Sequence, residues 1–181
     1  MKKLLLTLTI IFISLTNYIY AGDALSFTLT TIDDKNITIS ETKDGLDFHE
    51  FRGKAVLLTL FGHRCPPCIK EIPDFIELTN KHKNDLAIVA IESQGYPSES
   101  VQEFVSDHKI NYNVVAGIDH GEFINYIAET AFPKNINEDG EPRGIPLPLL
   151  IAVNKNGEVE SVQAGRIRED ELEILIKDLN D

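Results

Sequence analysis

Two runs of apolar residues constrain the fold of this 181-residue chain more than any other feature of its sequence. Residues 55–61 and 86–91 are apolar at nearly every position, so both faces of each predicted strand are apolar. Strands of that kind are typical of a parallel sheet that helices cover on both sides. Residues 66–81, which lie between the two runs, have the length of a right-handed crossover helix. The sequence therefore predicts a βαβ unit at the centre of an α/β domain.

The two cysteines of the chain, Cys65 and Cys68, stand between the first strand and this helix in the order Cys-Pro-Pro-Cys. A cysteine at a helix N-terminus meets unpaired backbone N–H groups and the positive end of the helix dipole, which favour the thiolate. The thiolate is the nucleophile of disulfide exchange. Pro66 and Pro67 are compatible with the first helical turn, where N–H groups have no intrahelical partner. This placement indicates a redox-active dithiol.

Three other roles stay open for the pair at this point. A structural disulfide across so short a loop stabilises a fold by about 2 kcal/mol, against about 3 kcal/mol for a loop of about fifteen residues. Structural zinc needs about four ligands, but Cu(I) accepts two sulfurs and a histidine, such as His63 or His120. Two unrelated free thiols are the third role. Copper binding or delivery is therefore an alternative function, beside disulfide oxidase or isomerase.

The N-terminus predicts export. Lys2 and Lys3 precede a mostly apolar stretch that ends near Ala21, as in a secretory signal peptide cleaved after that residue. We expect residues 22–181 to form one domain in the periplasm, and an uncleaved N-terminus to anchor it to the inner membrane as the alternative. The formal charge of −12 argues against nucleic acid or an anionic membrane surface as a partner.

Shorter patterns predict an antiparallel hairpin at each end of the domain. Residues 27–30 and 37–40 flank a polar turn and read as two strands. Residues 149–153 and 158–162 flank the turn Asn154-Lys155-Asn156-Gly157 and form a second hairpin. A closing helix follows, with its apolar stripe at Leu172, Leu175, Ile176 and Leu179.

Two helices and a strand are predicted between the parallel strands and the late hairpin. Ser100 with Glu103 has the spacing of a capping box and opens one helix, and Asp119 with Glu122 opens the other. Residues 112–115 form the short strand between these helices.

This order of elements, with Cys-Pro-Pro-Cys after the buried strand and a proline opening the late hairpin, resembles the thioredoxin fold. More narrowly, it resembles the TlpA/ResA/CcmG group of exported thiol-disulfide reductases. The motifs that carry the resemblance are Phe27-Thr28-Leu29, Gly53-Lys54, Cys65-Pro66-Pro67-Cys68, Glu71-Ile72-Pro73, and Pro148 ahead of Gly157. It implies an α/β, thioredoxin-like fold with a central mixed sheet flanked by helices and an added N-terminal β-hairpin.

The resemblance implies a substrate groove beside the cysteines. In that group the proline that opens the late strand is cis and faces the disulfide, and the residue before it lends its backbone to the substrate. Pro148 and Leu147 match these positions, and Pro146 is the second candidate for the cis proline. Pro66 and Pro67 border the same expected groove.

The resemblance also implies a proton carrier. Group members have a glutamate three residues after the second cysteine, which Glu71 matches, and its role is to handle the proton of Cys68. That role requires a carboxyl group whose pKa is raised by burial. Thioredoxin itself has an aspartate on the central strand at the position that Thr59 occupies here, so Glu71 is the candidate.

The residues before Cys65 depart from the group, which has an aromatic residue there. This chain has His63 and Arg64, and a cation beside Cys65 lowers the thiol pKa. Pro67 acts in the opposite direction because it removes an amide donor, so we expect the pKa of the Cys65 thiol to be lowered only modestly. Residues 42–50 and 133–143 are longer than the group needs, and we expect them to contribute to substrate recognition.

These inferences combine into one functional hypothesis. Cys65 is expected to be exposed and to attack, and Cys68 is expected to be shielded and to resolve the mixed disulfide. The implied activity is the reduction, without a cofactor, of disulfides in exported proteins, apocytochrome c among them. A membrane thiol-disulfide protein is the implied electron donor.

Overall fold

The computed structural model describes residues 24–131 and 144–181. The predicted signal peptide, residues 1–21, and the predicted recognition segment, residues 133–143, lie outside the described residues. Within the described ranges, no helix combines the length and the apolar character that a membrane crossing requires.

The described residues form an α/β domain whose elements follow the predicted order. The strands are β1 (Ser26–Thr30), β2 (Asn36–Glu41), β3 (Leu46–Phe48), β4 (Ala55–Phe61), β5 (Leu86–Glu92), β6 (Asn113–Ala116), β7 (Leu149–Val153) and β8 (Val159–Ala164). The helices are α1 (Pro66–Lys81), α2 (Ser98–His108), α3 (Gly121–Ala131) and α4 (Glu169–Asn180). Short 3-10 turns occupy His49–Phe51 and Gly117–Asp119.

A mixed five-stranded sheet in the order β6-β5-β4-β7-β8 forms the centre of the domain. β4 pairs in parallel with β5 and antiparallel with β7, and every residue of β4 and β5 is buried. Phe61 lies opposite Glu92 in the register, so the two parallel strands end together at one edge of the sheet. α1 begins at that edge, a few residues after Phe61.

The N-terminal hairpin is confirmed, but it belongs to a three-stranded antiparallel sheet. Its third strand, β3, lies within residues 42–50, for which a contribution to substrate recognition stays a prediction. In this strand Leu46 and Phe48 are buried, and Leu46 N–H donates to the Gly157 carbonyl at 2.8 Å. A strand of three residues is too short for its alternation to stand out in the sequence.

The predicted capping boxes are wrong. α2 begins at Ser98 after Pro97, without a side-chain cap, so Ser100 lies inside the helix and donates its backbone N–H to the Pro97 carbonyl at 2.9 Å. Pro97 occupies the N-cap position and its side chain has no hydrogen-bond acceptor, so this helix begins without a side-chain cap. α3 begins at Gly121, and Asp119 lies in the preceding 3-10 turn.

The alternation of β4 divides the core into two layers. Leu58 and Leu60 face a cluster that includes Leu29 and Ile39 of the N-terminal sheet and Phe123 of α3. Leu57, which directly precedes Leu58, faces the opposite cluster with Phe75 of α1 and Leu172 of α4. The predicted apolar face of α4 is confirmed, since Leu172, Ile176 and Leu179 are buried. Burial on both sides fixes the direction of β4 and the point at which α1 begins.

Candidate active site

Cys65 and Cys68 form a disulfide at the N-terminus of α1, with their Cα atoms 5.2 Å apart. Cys65 is the N-cap residue of the helix, and its Sγ accepts the backbone N–H of Cys68 at 3.3 Å. Pro66 and Pro67 supply no N–H, so Cys68 provides the amide that reaches this sulfur. After reduction, the same amide and the helix dipole would favour a thiolate at Cys65.

The expected difference in exposure between the two sulfurs is wrong for the disulfide form. Cys65 is 6% exposed and Cys68 is 4% exposed. Both pack in one apolar cluster with Phe61 and Phe104, and the side chain of Leu147 packs against the same cluster. The exposed residues of the motif are Pro66 and Pro67. The two cysteines therefore differ in their position on the helix, N-cap against first turn, and not in burial.

The peptide bond between Leu147 and Pro148 is cis, as the resemblance implies. The Ile145–Pro146 bond is not cis, so the second candidate is wrong. Pro148 is buried, and its carbonyl accepts the backbone N–H of Gly165 at 2.8 Å. Because Leu147 packs against the cluster that holds both sulfurs, the structure brings the cis peptide and the disulfide together.

Glu71 lies on α1 and is 4% exposed. Its Oε1 accepts the backbone N–H of Ile167 at 2.9 Å. Burial raises the pKa of the carboxyl group from 4.5 to about 7, partly offset by the Ile167 hydrogen bond and the charge of Arg166. Burial, and to a smaller extent the charge of the same carboxylate, raises the pKa of the Tyr112 phenol. Glu71 thus has the burial and the raised pKa that a proton carrier requires.

Thr59 stands on β4 where thioredoxin has an aspartate. It is 2% exposed and pairs with Leu150 of β7 in the register. The central strand therefore contributes no carboxylate at that position, and the buried carboxyl group on this face comes from α1 instead.

Sequence analysis missed a second buried carboxylate, Glu92, at the end of β5. It is 0% exposed, and its Oε1 lies 3.5 Å from Nδ1 of His63, whose side chain is 13% exposed. Glu92 also accepts the backbone N–H groups of Gln94 at 3.0 Å and Tyr96 at 3.1 Å. A signal was present, since a carboxylate that directly ends a buried parallel strand lies at the edge where ligand and catalytic groups of α/β proteins gather.

The histidines named for copper are engaged elsewhere. Nε2 of His120 accepts the backbone N–H of Thr30 at 3.2 Å, and Nε2 of His63 lies 3.2 Å from the Ser100 carbonyl oxygen. In the part of the chain that the structure describes, no three histidine, cysteine, aspartate or glutamate side chains are grouped as metal ligands. The described residues therefore give the copper hypothesis no support.

Replacing Glu71 with glutamine is expected to stabilise the folded protein above neutral pH. The folded carboxyl has a pKa of about 7 and its ordinary value is 4.5, so the folded state binds the proton more tightly. The wild type therefore loses stability as the pH rises from about 4.5 through about 7. Glutamine keeps an oxygen for Ile167 and buries no charge. After discounting for partial solvation, we expect the free energy of unfolding to rise by about 2 kcal/mol at about pH 9.

Urea unfolding of the disulfide form at about pH 4 and about pH 9 measures this difference. At the lower pH the two proteins should be equally stable. Glu77→Gln, on the exposed side of α1, is the matched control and should change stability at neither pH. A gain for Glu71→Gln of the same size at both pH values would contradict the assigned cause.

Comparison with solved structures confirms the thioredoxin-like fold. A thiol:disulfide interchange protein of the thioredoxin family from Chlorobium tepidum superposes with a TM-score of 0.63 and is 21% identical. The match covers 88% of this chain and 96% of that one.

Sequence comparison gives relatives that are thiol-disulfide oxidoreductases named ResA. The protein of Bacillus thuringiensis subsp. konkukian is 30% identical over 156 residues, which are 86% of this chain and 75% of the relative. The protein of Halalkalibacterium halodurans is 29% identical over 72% of this chain, and this match spans 65% of the relative's length, just under two thirds. The Redoxin family model matches residues 21–177, nearly the whole chain. With the disulfide, the cis peptide and the thioredoxin-like sheet in place, this protein belongs to the Redoxin family.

Proposed function

We propose that this protein is a thiol-disulfide oxidoreductase whose substrates are disulfide-containing proteins. The observation that carries the proposal is the Cys65–Cys68 disulfide at the N-terminus of α1, packed in one cluster with Leu147 of the cis peptide. After reduction, the Cys65 sulfur at the helix N-cap is a nucleophile, and the backbone before the cis proline is the proposed docking edge for a client strand.

The exchange has two steps that balance in atoms and electrons. In the reduced enzyme, the Cys65 thiolate attacks one sulfur of a client disulfide, so a Cys65–client bond forms, the client S–S bond breaks and one client thiolate leaves. The Cys68 thiolate then attacks the Cys65 sulfur, which restores the Cys65–Cys68 disulfide and releases the second client thiolate. The client gains two electrons, and its thiolates take protons from solvent or from Glu71.

Glu71 is proposed to hold the proton of Cys68. The two residues are neighbours at i and i+3 on α1, and a carboxyl group with a pKa of about 7 is partly ionised at neutral pH. It can therefore accept the thiol proton when Cys68 becomes a nucleophile. Leu147 and Pro148 are proposed to align the client backbone, with Pro66 and Pro67 at the rim of the groove.

The proposal extends to the compartment in which the protein acts and to the direction of the exchange. Residues 1–21 carry the pattern of a signal peptide, so we place residues 22–181 as a thioredoxin-like domain in the periplasm, either free or anchored by an uncleaved N-terminus. A reductase in that compartment needs electrons from a membrane thiol-disulfide donor. The ResA-like sequence supports the reducing direction, with apocytochrome c among the clients.

Cys68→Ser is expected to accumulate mixed disulfides in cells, because Cys65 still attacks and nothing releases the client. Cys65→Ser should accumulate none, since Cys68 lies in the first turn of α1 behind the N-cap position. Non-reducing electrophoresis with mass spectrometry of the captured clients measures both, and the double serine variant sets the background. Equal capture by both variants would refute the division of roles. A capture that holds no cytochrome c precursor removes the apocytochrome assignment alone.

Glu71→Gln is expected to slow release of the client by at least about tenfold at neutral pH. In the wild type, release should speed up as the pH rises through about 7, where Glu71 loses its proton and becomes a base. The variant should lose this inflection and keep the one that belongs to the Cys68 thiol. Stopped-flow measurement of a preformed Cys65–peptide mixed disulfide follows the step directly. Identical profiles from about pH 5 to about pH 9 would leave Glu71 without a role in proton transfer.

The reduction potential of the Cys65–Cys68 couple tests the direction of the reaction. We expect a value nearer the roughly −270 mV of thioredoxin than the roughly −120 mV of DsbA. Equilibration with glutathione buffers, followed by thiol alkylation, measures it. A potential above about −170 mV would overturn the reductase direction while leaving dithiol exchange intact.

A further inference from the structure

The buried pair of His63 and Glu92 lies beside the catalytic motif without a role in the steps above. Glu92 ends β5 opposite Phe61, and the chain passes from Phe61 through His63 to Cys65. His63 is two residues from Cys65, which limits the distance between their Cα atoms to about 7 Å. The His63 ring contacts Phe104, with centroids 4.3 Å apart, and Phe104 packs in the same apolar cluster as Cys65.

Counting donors and acceptors assigns the protons of this pair. Nε2 of His63 lies 3.2 Å from the carbonyl oxygen of Ser100, and a carbonyl oxygen only accepts, so Nε2 carries a hydrogen. Nδ1 is buried, makes no hydrogen bond, and lies 3.5 Å from Oε1 of Glu92. A bare nitrogen lone pair facing a carboxylate would be repelled, so one further proton belongs to this contact.

Both carboxylate oxygens of Glu92 accept backbone hydrogen bonds. Each Glu92 oxygen accepts a backbone N–H, Oε1 from Gln94 and Oε2 from Tyr96, and such bonds favour the charged carboxylate. A fully buried carboxylate also needs a counter-charge, because desolvation of an unpaired ion is costly. A proton on Nδ1 would give this buried nitrogen a partner in Glu92 and would supply the counter-charge, with His63 as an imidazolium.

Aromatic contacts and backbone hydrogen bonds hold the His63 ring and its neighbours in place. The ring stacks on Tyr96 with centroids 4.3 Å apart and contacts Phe104 of α2 at the same distance. Gln94, whose N–H bonds to Glu92, accepts the backbone N–H of Arg64 through its Oε1 at 2.9 Å. Gly62 leaves the room that Gln94 occupies, since a Cβ there would collide with its side chain. Hydrogen bonds and packing thus connect the residues that precede Cys65 to the end of β5.

We propose that His63 and Glu92 are positioning residues that act as one unit, Glu92 holding the His63 imidazolium so that its charge stabilises the Cys65 thiolate. The inference rests on the proposed function in taking Cys65 as the attacking thiol. The other groups that face His63 are the Tyr96 phenol ring, the Phe104 ring and the Ser100 carbonyl, and the Arg64 side chain next to it in the chain is exposed. Because Cys65 and the His63 ring both pack against Phe104, a charge on the imidazole would act on the thiolate across a partly buried region, where the attraction is stronger than in water.

The test uses the full domain with Cys68→Ala, so that Cys65 is the one thiol. The rate of alkylation by iodoacetamide and the ultraviolet absorbance of the thiolate, followed from about pH 4 to about pH 10, give the pKa of Cys65. His63→Gln should raise that pKa by about one unit, which is about a tenfold lower thiolate fraction below it. Glu92→Gln should raise it by a similar amount, because a buried imidazolium without its counter-ion gives up its proton.

The double variant distinguishes a unit from two separate effects. If His63 and Glu92 act together, the double variant shifts the pKa no further than either single variant, and additive shifts would overturn the proposal. His108→Gln is the matched control, because this imidazole packs on Phe104 at 4.1 Å without an ionic contact to Glu92, and it should leave the titration unchanged. An equal shift in this control would assign the effect to packing and reject the proposal.

A measurement on the unaltered ring guards against variants that fail to fold. Nitrogen NMR of histidine-labelled protein at neutral pH should show His63 protonated at both ring nitrogens, and a neutral ring would overturn the proposal. An unshifted Cys65 titration in folded His63→Gln would overturn it equally. A Cys65 thiolate that forms normally but exchanges with no disulfide would instead overturn the proposed function.

Discussion

The burial of β4 on both faces is the constraint on which the site depends. Leu58 and Leu57 point into opposite layers of the core, so the strand cannot rotate or slip by one residue without exposing one apolar set. The strand is also hydrogen-bonded on both edges, to β5 and β7. Its end at Phe61 is therefore fixed, and with it the start of α1 and the N-cap position of Cys65.

Two buried carboxyl groups of this domain, Glu71 and Glu92, have different hydrogen-bond partners. Glu71 accepts one backbone N–H and carries a pKa raised by burial, so it exchanges a proton near neutrality. Glu92 is at least as buried, but it accepts two backbone N–H groups and meets an imidazole. Backbone N–H donors favour the charged form of a carboxyl group, so its hydrogen-bond partners matter beside its depth of burial.

Sequence patterns predicted the elements that have a long apolar run or a distinctive motif, and the resemblance predicted the cis bond at Pro148. The apolar runs located β4 and β5, and Cys-Pro-Pro-Cys located the N-terminus of α1. The patterns failed where the deciding contact is tertiary. β3 is defined by pairing with β2 and by the bond from Leu46 to Gly157, and the burial of Cys65 depends on Phe104 from a helix far along the chain. The place of Glu92 at the end of a buried strand was visible in the sequence, but its partners were not, because no local pattern predicts which backbone amides will reach a carboxylate.

The near-complete covering of the disulfide has a steric consequence for any partner. In thiol-disulfide exchange the incoming thiolate approaches in line with the S–S bond, and here both sulfurs are packed among Phe61 and Phe104, with Leu147 against them. A flat protein surface has little access to cysteine residues that are 6% and 4% exposed. A cysteine on a narrow, protruding loop can enter beside the exposed prolines of the motif. Access to the disulfide therefore depends on the shape of the partner's loop, and the redox potential matters only for partners whose loop fits.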